Sequence, residues 1–171
     1  MKIALLGIGL MGYPMGRRIR DAGYALHVWN RTPAKAQRLA AFGAVVHDKP
    51  VDAVQDADIV ITMLDNGSVV HKVLFDLGTA AAMKLGALLI DMSSIKPAEA
   101  RDHAARLSEL HIAYLDAPVS GGTIGAESGS LAIMAGGKPA AFDQALPVLN
   151  VFGRATHVGP VGAGQLAKLA N

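Results

Sequence analysis

A glycine-rich loop near the start of the chain holds the first residues that could do chemistry. Gly7-Ile8-Gly9-Leu10-Met11-Gly12 has the spacing G-x-G-x-x-G and lies between an apolar run and a segment of helical periodicity. In this context the first glycine allows a tight turn, the second lets a pyrophosphate approach the backbone, and the third lets the helix pack closely on the strand. A structural turn can share this spacing, but the context predicts that these residues bind a dinucleotide at a helix N-terminus.

A polar triplet, Asn30-Arg31-Thr32, follows the second apolar run. An acidic side chain at this point would accept hydrogen bonds from the adenosine ribose of NAD and would repel a 2'-phosphate. An arginine can instead pair with that phosphate and stack on the adenine. Arg31 could also be a solvated residue at a strand end. The triplet favours NADP as the cofactor, with NAD as a possibility.

A third segment, Asp116-Ala117-Pro118-Val119-Ser120-Gly121-Gly122, matches neither a strand nor a helix pattern. Pro118 restricts the backbone and the two glycines remove side chains, so a ligand carboxylate or hydroxyl could reach backbone N–H groups beside the Ser120 hydroxyl. A glycine-rich turn leaving the sheet accounts for the same residues. The residues alone leave both interpretations open.

Together with Asp91-Met92-Ser93-Ser94 and Gly162-Ala163-Gly164-Gln165-Leu166-Ala167-Lys168, these motifs resemble the β-hydroxyacid dehydrogenases. That family includes 3-hydroxyisobutyrate dehydrogenase and tartronate semialdehyde reductase (2-hydroxy-3-oxopropionate reductase). The resemblance covers the whole chain. It implies an enzyme that transfers a hydride between a nicotinamide cofactor, preferably NADPH, and a short β-hydroxy acid or its semialdehyde.

The resemblance also implies roles for particular residues. Lys168 would be the catalytic acid/base, while Ser120, Gly121 and Gly122 would hold the substrate. Met63, Leu64 and Asp65 would line the dinucleotide, and Ser94 would lie near the nicotinamide ribose. The family usually has proline where this chain has Asp65.

Two other functions share part of this pattern. Imine reductases have the glycine loop and the Asn-Arg-Thr triplet but generally lack a lysine at the position of Lys168. Non-catalytic dinucleotide-binding modules also tend to lose that lysine. Both functions stay open as alternatives.

These residues have to be positioned by an alternation of short apolar runs and helical segments, which predicts a Rossmann-type, doubly wound α/β fold with a mostly parallel sheet. Uniformly apolar strands suit a sheet that is covered by helices on both faces. The predicted strands span residues 2–6, 25–29, 59–64, 87–91 and 112–115, with a weaker one around Val45. The predicted first helix carries the apolar stripe Met11, Met15, Ile19 and Ala22 and ends at Gly23.

We expect residues 1–161 to form the dinucleotide-binding domain and residues 162–171 to begin an inter-domain helix. The resemblance implies a following all-helical domain, absent from this chain, that closes the site and forms a homo-oligomer. The chain alone is therefore expected to bind dinucleotide but to catalyse poorly.

Composition excludes several classes of function. The chain has 171 residues, of which 51% are hydrophobic and 18% charged, with a net charge of +2 and no cysteine. These values predict a globular protein without thiol chemistry or nucleic-acid binding. The absence of a long apolar run or a signal-peptide pattern predicts no membrane contact and a cytoplasmic location. The six histidines lack metal-ligand spacing, which predicts no metal and surface or strand-edge positions for them. Arg17, Arg18 and Arg20 are expected on the solvent side of the first helix.

Overall fold

The computed structural model describes residues 1–171 and contains one nine-stranded sheet with helices on both faces. The strands are β1 (Lys2–Leu6), β2 (Ala25–Trp29), β3 (Val45–Val46), β4 (Ile59–Thr62), β5 (Leu88–Asp91), β6 (Ala113–Asp116), β7 (Val119–Ser120), β8 (Leu131–Gly136) and β9 (Gly153–Gly159). The helices are α1 (Gly12–Asp21), α2 (Pro33–Gln37), α3 (Pro50–Ala53), α4 (Gly67–His71), α5 (Thr79–Ala82), α6 (Pro97–Glu109), α7 (Gly122–Ser128), α8 (Pro139–Phe152) and α9 (Ala163–Ala170). A 3-10 turn spans Ala40–Phe42, and a π-helical turn, Lys72–Asp76, continues α4.

The first six strands are all parallel and lie in the order β3-β2-β1-β4-β5-β6. The order reverses between β1 and β4, and the carboxyl ends of strands at such a point form the crevice where α/β proteins bind ligands. Beyond β6 the sheet continues with β8, which is antiparallel to β6 and β7 and parallel to β9. The predicted doubly wound, mostly parallel fold is confirmed.

The core has two hydrophobic clusters, one on each face of the sheet. Ile3 and Leu5 of β1 belong to one cluster, whereas Ala4 and Leu6 belong to the other. Successive side chains of a strand point to opposite faces, so a strand that is covered on both faces has to be apolar throughout. This packing accounts for the unbroken apolar runs and for much of the high hydrophobic content.

Local features of the sequence predicted the elements of the first half well. β1 and β2 have the predicted bounds, while β4 ends at Thr62, two residues early. Met15 and Ile19 of the helical stripe are buried, but Ala22 is exposed because α1 ends at Asp21. The prediction for Ala22 was therefore wrong.

The interpretation of the Asp116–Gly122 segment as neither strand nor helix was also wrong. Asp116 ends β6, β7 follows after Pro118, and Gly122 begins α7. β7 has only two residues and pairs with β8 through Val119 and Ile133. A strand this short shows no local periodicity, and α7 separates it from its partner β8 in the chain.

The basic residues of α1 correct a further prediction. The guanidinium of Arg18 donates to the carbonyl of Val151 at 2.7 Å, and that of Arg20 donates to the carbonyls of Tyr24 and Phe42 at 2.6 and 2.9 Å. These two side chains therefore tie α1 to neighbouring segments instead of lying free in solvent. Only Arg17 is exposed.

No helix in the structure combines the length and apolar character needed to cross a membrane. The cytoplasmic location, the absence of nucleic-acid binding and the homo-oligomer stay predictions, as does the domain boundary after residue 161. At that boundary Gly162 precedes α9 with a φ of 92°.

Candidate functional site

The glycine loop joins β1 to α1 at the crevice. The backbone N–H of Gly7 donates to the Trp29 carbonyl at 2.9 Å, and Gly7 has a φ of 106°. A Cβ on Gly7 would collide with the Met63 carbonyl, and one on Gly12 would collide with the Gly7 carbonyl. A Cβ on Gly9 would instead project into open space. The fold itself therefore requires Gly7 and Gly12, while Gly9 leaves a gap that a ligand can enter.

Asn30 fixes the shape of this loop. Its Oδ1 accepts a hydrogen bond from the Ile8 N–H at 2.8 Å, and its Nδ2 donates to the Thr32 carbonyl at 3.0 Å. The Ile8 side chain is buried in the core, whereas Leu10 is 85% exposed and Met11 is half-buried. The loop therefore exposes mainly its backbone at Gly9 and the Leu10 side chain to solvent.

A cleft of about 460 Å³ opens beside the loop. Of the predicted cofactor residues, those that line it are Gly7, Gly9, Asn30, Arg31, Thr32, Met63, Leu64 and Asp65. The remaining predicted ones, which do not line it, are Ile8, Leu10, Met11, Gly12 and Ser94. The structure thus brings three separate sequence segments together around one cleft.

The motifs of the sequence predict only two of the four charged residues that line the cleft, Arg31 and Asp65. Lys35 and Lys72 line it together with Arg31, and Asp65 is its one acidic residue. Lys35 lies in α2, only three positions after Thr32, so its closeness to the triplet in the sequence could have indicated it. Nothing in the sequence pattern indicates Lys72. Three cations against one carboxylate make this end of the crevice suitable for phosphate groups.

Ser120 and Lys168, which only the family resemblance linked, are in direct contact. Lys168 Nζ donates to Ser120 Oγ at 3.0 Å, across 48 positions of the chain. Asn171 Nδ2 approaches the same oxygen at 3.2 Å. The motifs of the sequence indicate no role for Asn171, which directly follows α9 and lies three positions after Lys168.

The two predicted substrate glycines present bare backbone next to this contact. Gly121 and Gly122 are exposed, with φ values of 131° and 61°. Residues with a side chain rarely adopt such φ values, so the backbone conformation here requires glycine. The missing side chains also leave the backbone accessible to a ligand. The segment can offer N–H groups to an anion beside the Ser120 hydroxyl.

Two buried side chains hold α9, the helix that carries Lys168. Asp116 accepts hydrogen bonds from the N–H groups of Gly162 at 2.8 Å and Gln165 at 2.9 Å. The Gln165 side chain accepts from the Ile95 N–H at 3.1 Å and donates to the Ser93 carbonyl at 2.8 Å. The start of α9 is thereby attached to the ends of both β5 and β6.

A row of three buried polar residues crosses the sheet below the site. The row consists of Thr62 on β4, Asp91 on β5 and Asp116 on β6, which are partners in the strand register. Asp91 Oδ1 accepts from Thr62 Oγ1 at 2.9 Å and from the Ser93 N–H at 3.0 Å, while Oδ2 has no partner. Burial raises the pKa of Asp91 to about 6. Burial also raises the pKa of Asp116, against the opposing effect of its bonds from Gly162 and Gln165.

Ser93 and Ser94 have different environments. Ser93 is buried, and its Oγ accepts a hydrogen bond from the Leu64 N–H at 2.8 Å. Ser94 is exposed after the end of β5. Its predicted contact with the nicotinamide ribose stays a prediction.

The histidines correct one expectation. His103 is buried, not at the surface, and burial lowers its pKa. It lies with His71 and Asp102, whose possible ligand atoms are within 4.8 Å of one another. Donors around a tetrahedral zinc are closer, at roughly 3.4 Å, given metal–ligand bonds of about 2.0–2.2 Å. Asp102 also binds Arg106 at 3.2 Å. The absence of a metal stays a prediction.

A second, more open hollow of about 590 Å³ lies between α6 and the start of α8. Arg101, Lys138 and His157 are among its lining residues, but none of the predicted site residues is. The chemistry that the motifs indicate therefore concentrates at the carboxyl ends of the parallel strands.

Known proteins similar to this chain support the resemblance. The 2-hydroxy-3-oxopropionate reductase of Escherichia coli (strain K12) is 40% identical over 173 residues, which cover 100% of this chain and 59% of the relative. The structure of 3-hydroxyisobutyrate dehydrogenase from Mycobacterium tuberculosis with L-serine is 40% identical with a TM-score of 0.96, covering 99% of this chain and 58% of that one. The structure of an imine reductase from Myxococcus stipitatus in complex with NADP+ is 29% identical with a TM-score of 0.91. The match covers 99% of this chain and 59% of the imine reductase.

The chain therefore spans a little under 60% of the length of these relatives. A family model described as the NAD binding domain of 6-phosphogluconate dehydrogenase matches residues 2–161. The glycine loop, the cleft and the strand order agree with that match, and the chain belongs to this family of NAD-binding domains.

Proposed function

We propose that this chain is the cofactor-binding part of an oxidoreductase acting on a short β-hydroxy acid or its semialdehyde. The observation that carries this proposal is the 3.0 Å contact between Lys168 Nζ and Ser120 Oγ, next to the exposed backbone of Gly121 and Gly122. A proton-transferring amine, a hydroxyl and free N–H groups are what a substrate with a hydroxyl and a carboxylate needs.

The reaction divides between cofactor and protein. A bound nicotinamide dinucleotide supplies or accepts the hydride. In the reduction direction Lys168 donates a proton to the oxygen of the carbonyl as it becomes a hydroxyl, and in the oxidation direction it accepts that proton. Ser120 accepts a hydrogen bond from Lys168 and directs its own hydroxyl hydrogen to the same substrate oxygen. The backbone at Gly121 and Gly122 binds the carboxylate.

The cleft beside the glycine loop fits the cofactor. Gly9 leaves open space at the loop, as the approach of a pyrophosphate requires. Arg31, Lys35 and Lys72 line the cleft and supply positive charge that a 2'-phosphate can pair with. These cations support a preference for NADPH over NADH.

The relatives support the substrate class. One is named for 2-hydroxy-3-oxopropionate, and another is described with L-serine, which carries a hydroxyl on its β carbon. Similarity to an imine reductase at 29% identity favours a second candidate, reduction of cyclic imines. The lysine–serine pair supports the first candidate, because a hydroxyl product needs a proton on oxygen and a carboxylate needs an anchor.

A substrate panel with the full-length protein tests the proposal. It compares kcat/KM for tartronate semialdehyde, 3-hydroxyisobutyrate, L-serine, glyoxylate, succinic semialdehyde and a cyclic imine, each with NADP(H) and NAD(H). We expect the highest value for a β-hydroxy acid or its semialdehyde. Preferential turnover of the imine would contradict the proposal, and cofactor binding without any turnover would favour a non-catalytic module.

A further inference from the structure

Gln165 is a buried amide in α9, a helix that also carries exposed leucine side chains. Its residue is 1% exposed, whereas Leu166 and Leu169 are 62% and 70% exposed. Buried polar groups in native proteins are nearly always hydrogen-bonded, and both ends of this amide are. Its Oε1 accepts from Ile95 and its Nε2 donates to Ser93.

These bonds connect the lysine helix to the wall of the dinucleotide cleft. Ser93 holds Gln165 through its carbonyl and holds Leu64 through its Oγ, at 2.8 Å in each case. Leu64 lines the cleft. An unbroken series of contacts therefore runs from the cleft through Ser93 and Gln165 to α9.

Lys168 lies three residues after Gln165, on the same side of α9. The helix start is held along its axis by the two N–H groups that Asp116 accepts. A flexible lysine stem does not fix its own ammonium group, and a rotation of the helix would move Nζ away from Ser120. The Gln165 amide opposes that rotation because it binds two backbone groups of the loop after β5.

We propose that Gln165 is a positioning residue, which fixes the rotation of α9 so that Lys168 Nζ meets Ser120 Oγ. The inference rests on the proposed function, since it assigns Lys168 the proton transfer. The Gln165 side chain itself forms its hydrogen bonds with Ile95 and Ser93 and with neither of these two residues.

A purely structural role of Gln165 predicts a different effect of its substitution on kcat. If Gln165 only stabilised the fold, a folded variant would keep its kcat. If it positions Lys168, loss of the amide lowers kcat in folded protein while dinucleotide affinity stays unchanged. A misplacement of about 1 Å at a reacting group lowers the rate by roughly 100-fold.

Gln165→Glu separates the two roles further. A protonated carboxyl has the shape of the amide, and its O–H can donate to the Ser93 carbonyl. Its charged form cannot donate, and burial beside Asp116 raises the pKa of the introduced carboxyl. The titratable or charged residues on the elements packed against α9 are Arg101, Asp102, His103 and Arg106 with Glu99 and Glu109 on α6, Tyr114 and Asp116 on β6, and Arg154 and His157 on β9.

The experiment uses the full-length protein with the best substrate of the panel. It measures kcat, KM, dinucleotide Kd and the unfolding midpoint of Gln165→Leu and Gln165→Glu between about pH 6 and about pH 8.5. The matched controls are Gln144→Leu and Gln144→Glu, at an exposed position of α8. Lys168→Ala is measured beside them.

We expect kcat of Gln165→Leu to fall roughly 100-fold at every pH, with Kd unchanged. For Gln165→Glu, kcat relative to the parent rises as the pH falls, because protonation restores the donor to Ser93. Should Gln165→Leu fail to fold, the pH response of Gln165→Glu decides. A kcat within about threefold of the parent, or a pH-independent loss in folded Gln165→Glu, would overturn the inference provided that Lys168→Ala is inactive. Substantial turnover by Lys168→Ala would overturn the proposed function instead.

Discussion

The dinucleotide cleft and the lysine–serine pair are built by different means. The cleft depends on backbone conformation: Gly7 and Gly12 allow close approaches that no Cβ permits, and the charged side chains around it are exposed. The lysine–serine pair depends on hydrogen bonds of buried side chains. Asp116 accepts from the backbone at the start of α9, and Gln165 accepts from the loop after β5. Exposed side chains tolerate replacement, whereas buried hydrogen-bonded ones do not. We therefore expect substitutions in the two regions to affect binding and turnover separately.

The largest effect on the cleft should come from Gly12→Ala. The added Cβ would meet the Gly7 carbonyl, so the loop must shift, and we expect dinucleotide affinity to fall by about 100-fold or more with a lower unfolding midpoint. Gly9→Ala is the matched control for the fold, because its Cβ enters open space. It should leave the unfolding midpoint unchanged but still weaken binding, as titration calorimetry can measure. Full affinity in Gly9→Ala would mean that the pyrophosphate does not approach this glycine.

The buried row beneath the lysine–serine pair should make stability depend on pH. The folded-state pKa of Asp91 is raised to about 6, above the value of about 3.9 expected in the unfolded chain. Between these values the folded state binds more protons, so stability falls as the pH rises. From about pH 4 to about pH 7 the parent should lose roughly 2–3 kcal/mol relative to Asp91→Asn.

Chemical denaturation at a series of pH values measures this difference. Asp143→Asn, which removes an exposed carboxylate on α8, is the control. A difference between the parent and Asp91→Asn that does not change with pH would mean that Asp91 is not perturbed by burial.

A smaller effect is expected at the exposed edge of the cleft. Arg31→Ala removes one of three cations, and a charge-assisted hydrogen bond contributes about 1.5–3 kcal/mol, so the KM for NADPH should rise about tenfold or more relative to that for NADH. Arg38→Ala is the control, because Arg38 stacks on Tyr13 at 4.0 Å and does not line the cleft. An unchanged ratio of the two KM values would contradict the NADPH preference.

The same contrast explains what the sequence could predict. The glycine loop and β1 were predictable because their requirements are local: a turn, a close approach and an apolar strand. The contact between Ser120 and Lys168 joins positions 48 residues apart, and only the resemblance to a family indicated it.

Side-chain networks lay outside what local patterns show. The sequence around Gln165 indicates only an ordinary helical residue, yet its hydrogen-bond partner Ser93 lies 72 positions away. His103, by contrast, has helical spacing from the buried Ala100 and Leu107, which could have indicated that it is buried where α6 packs on the sheet and α4. Lys72 begins the π-helical turn and lines the cleft, although no motif of the sequence indicates it. The placements of Gln165 and Lys72 depend on tertiary packing, which periodicity does not encode.

In the proposed function Lys168 performs the proton transfer, while the cleft binds the cofactor independently. The most direct test measures kcat and dinucleotide Kd for Lys168→Ala in the full-length protein, with Lys138→Ala at an exposed position as the control. We expect kcat to fall by about 100- to 10,000-fold, as for loss of a general acid/base, with Kd unchanged. A kcat within about tenfold of the parent, or an equal loss of cofactor affinity, would contradict the role of Lys168 as the proton-transferring group.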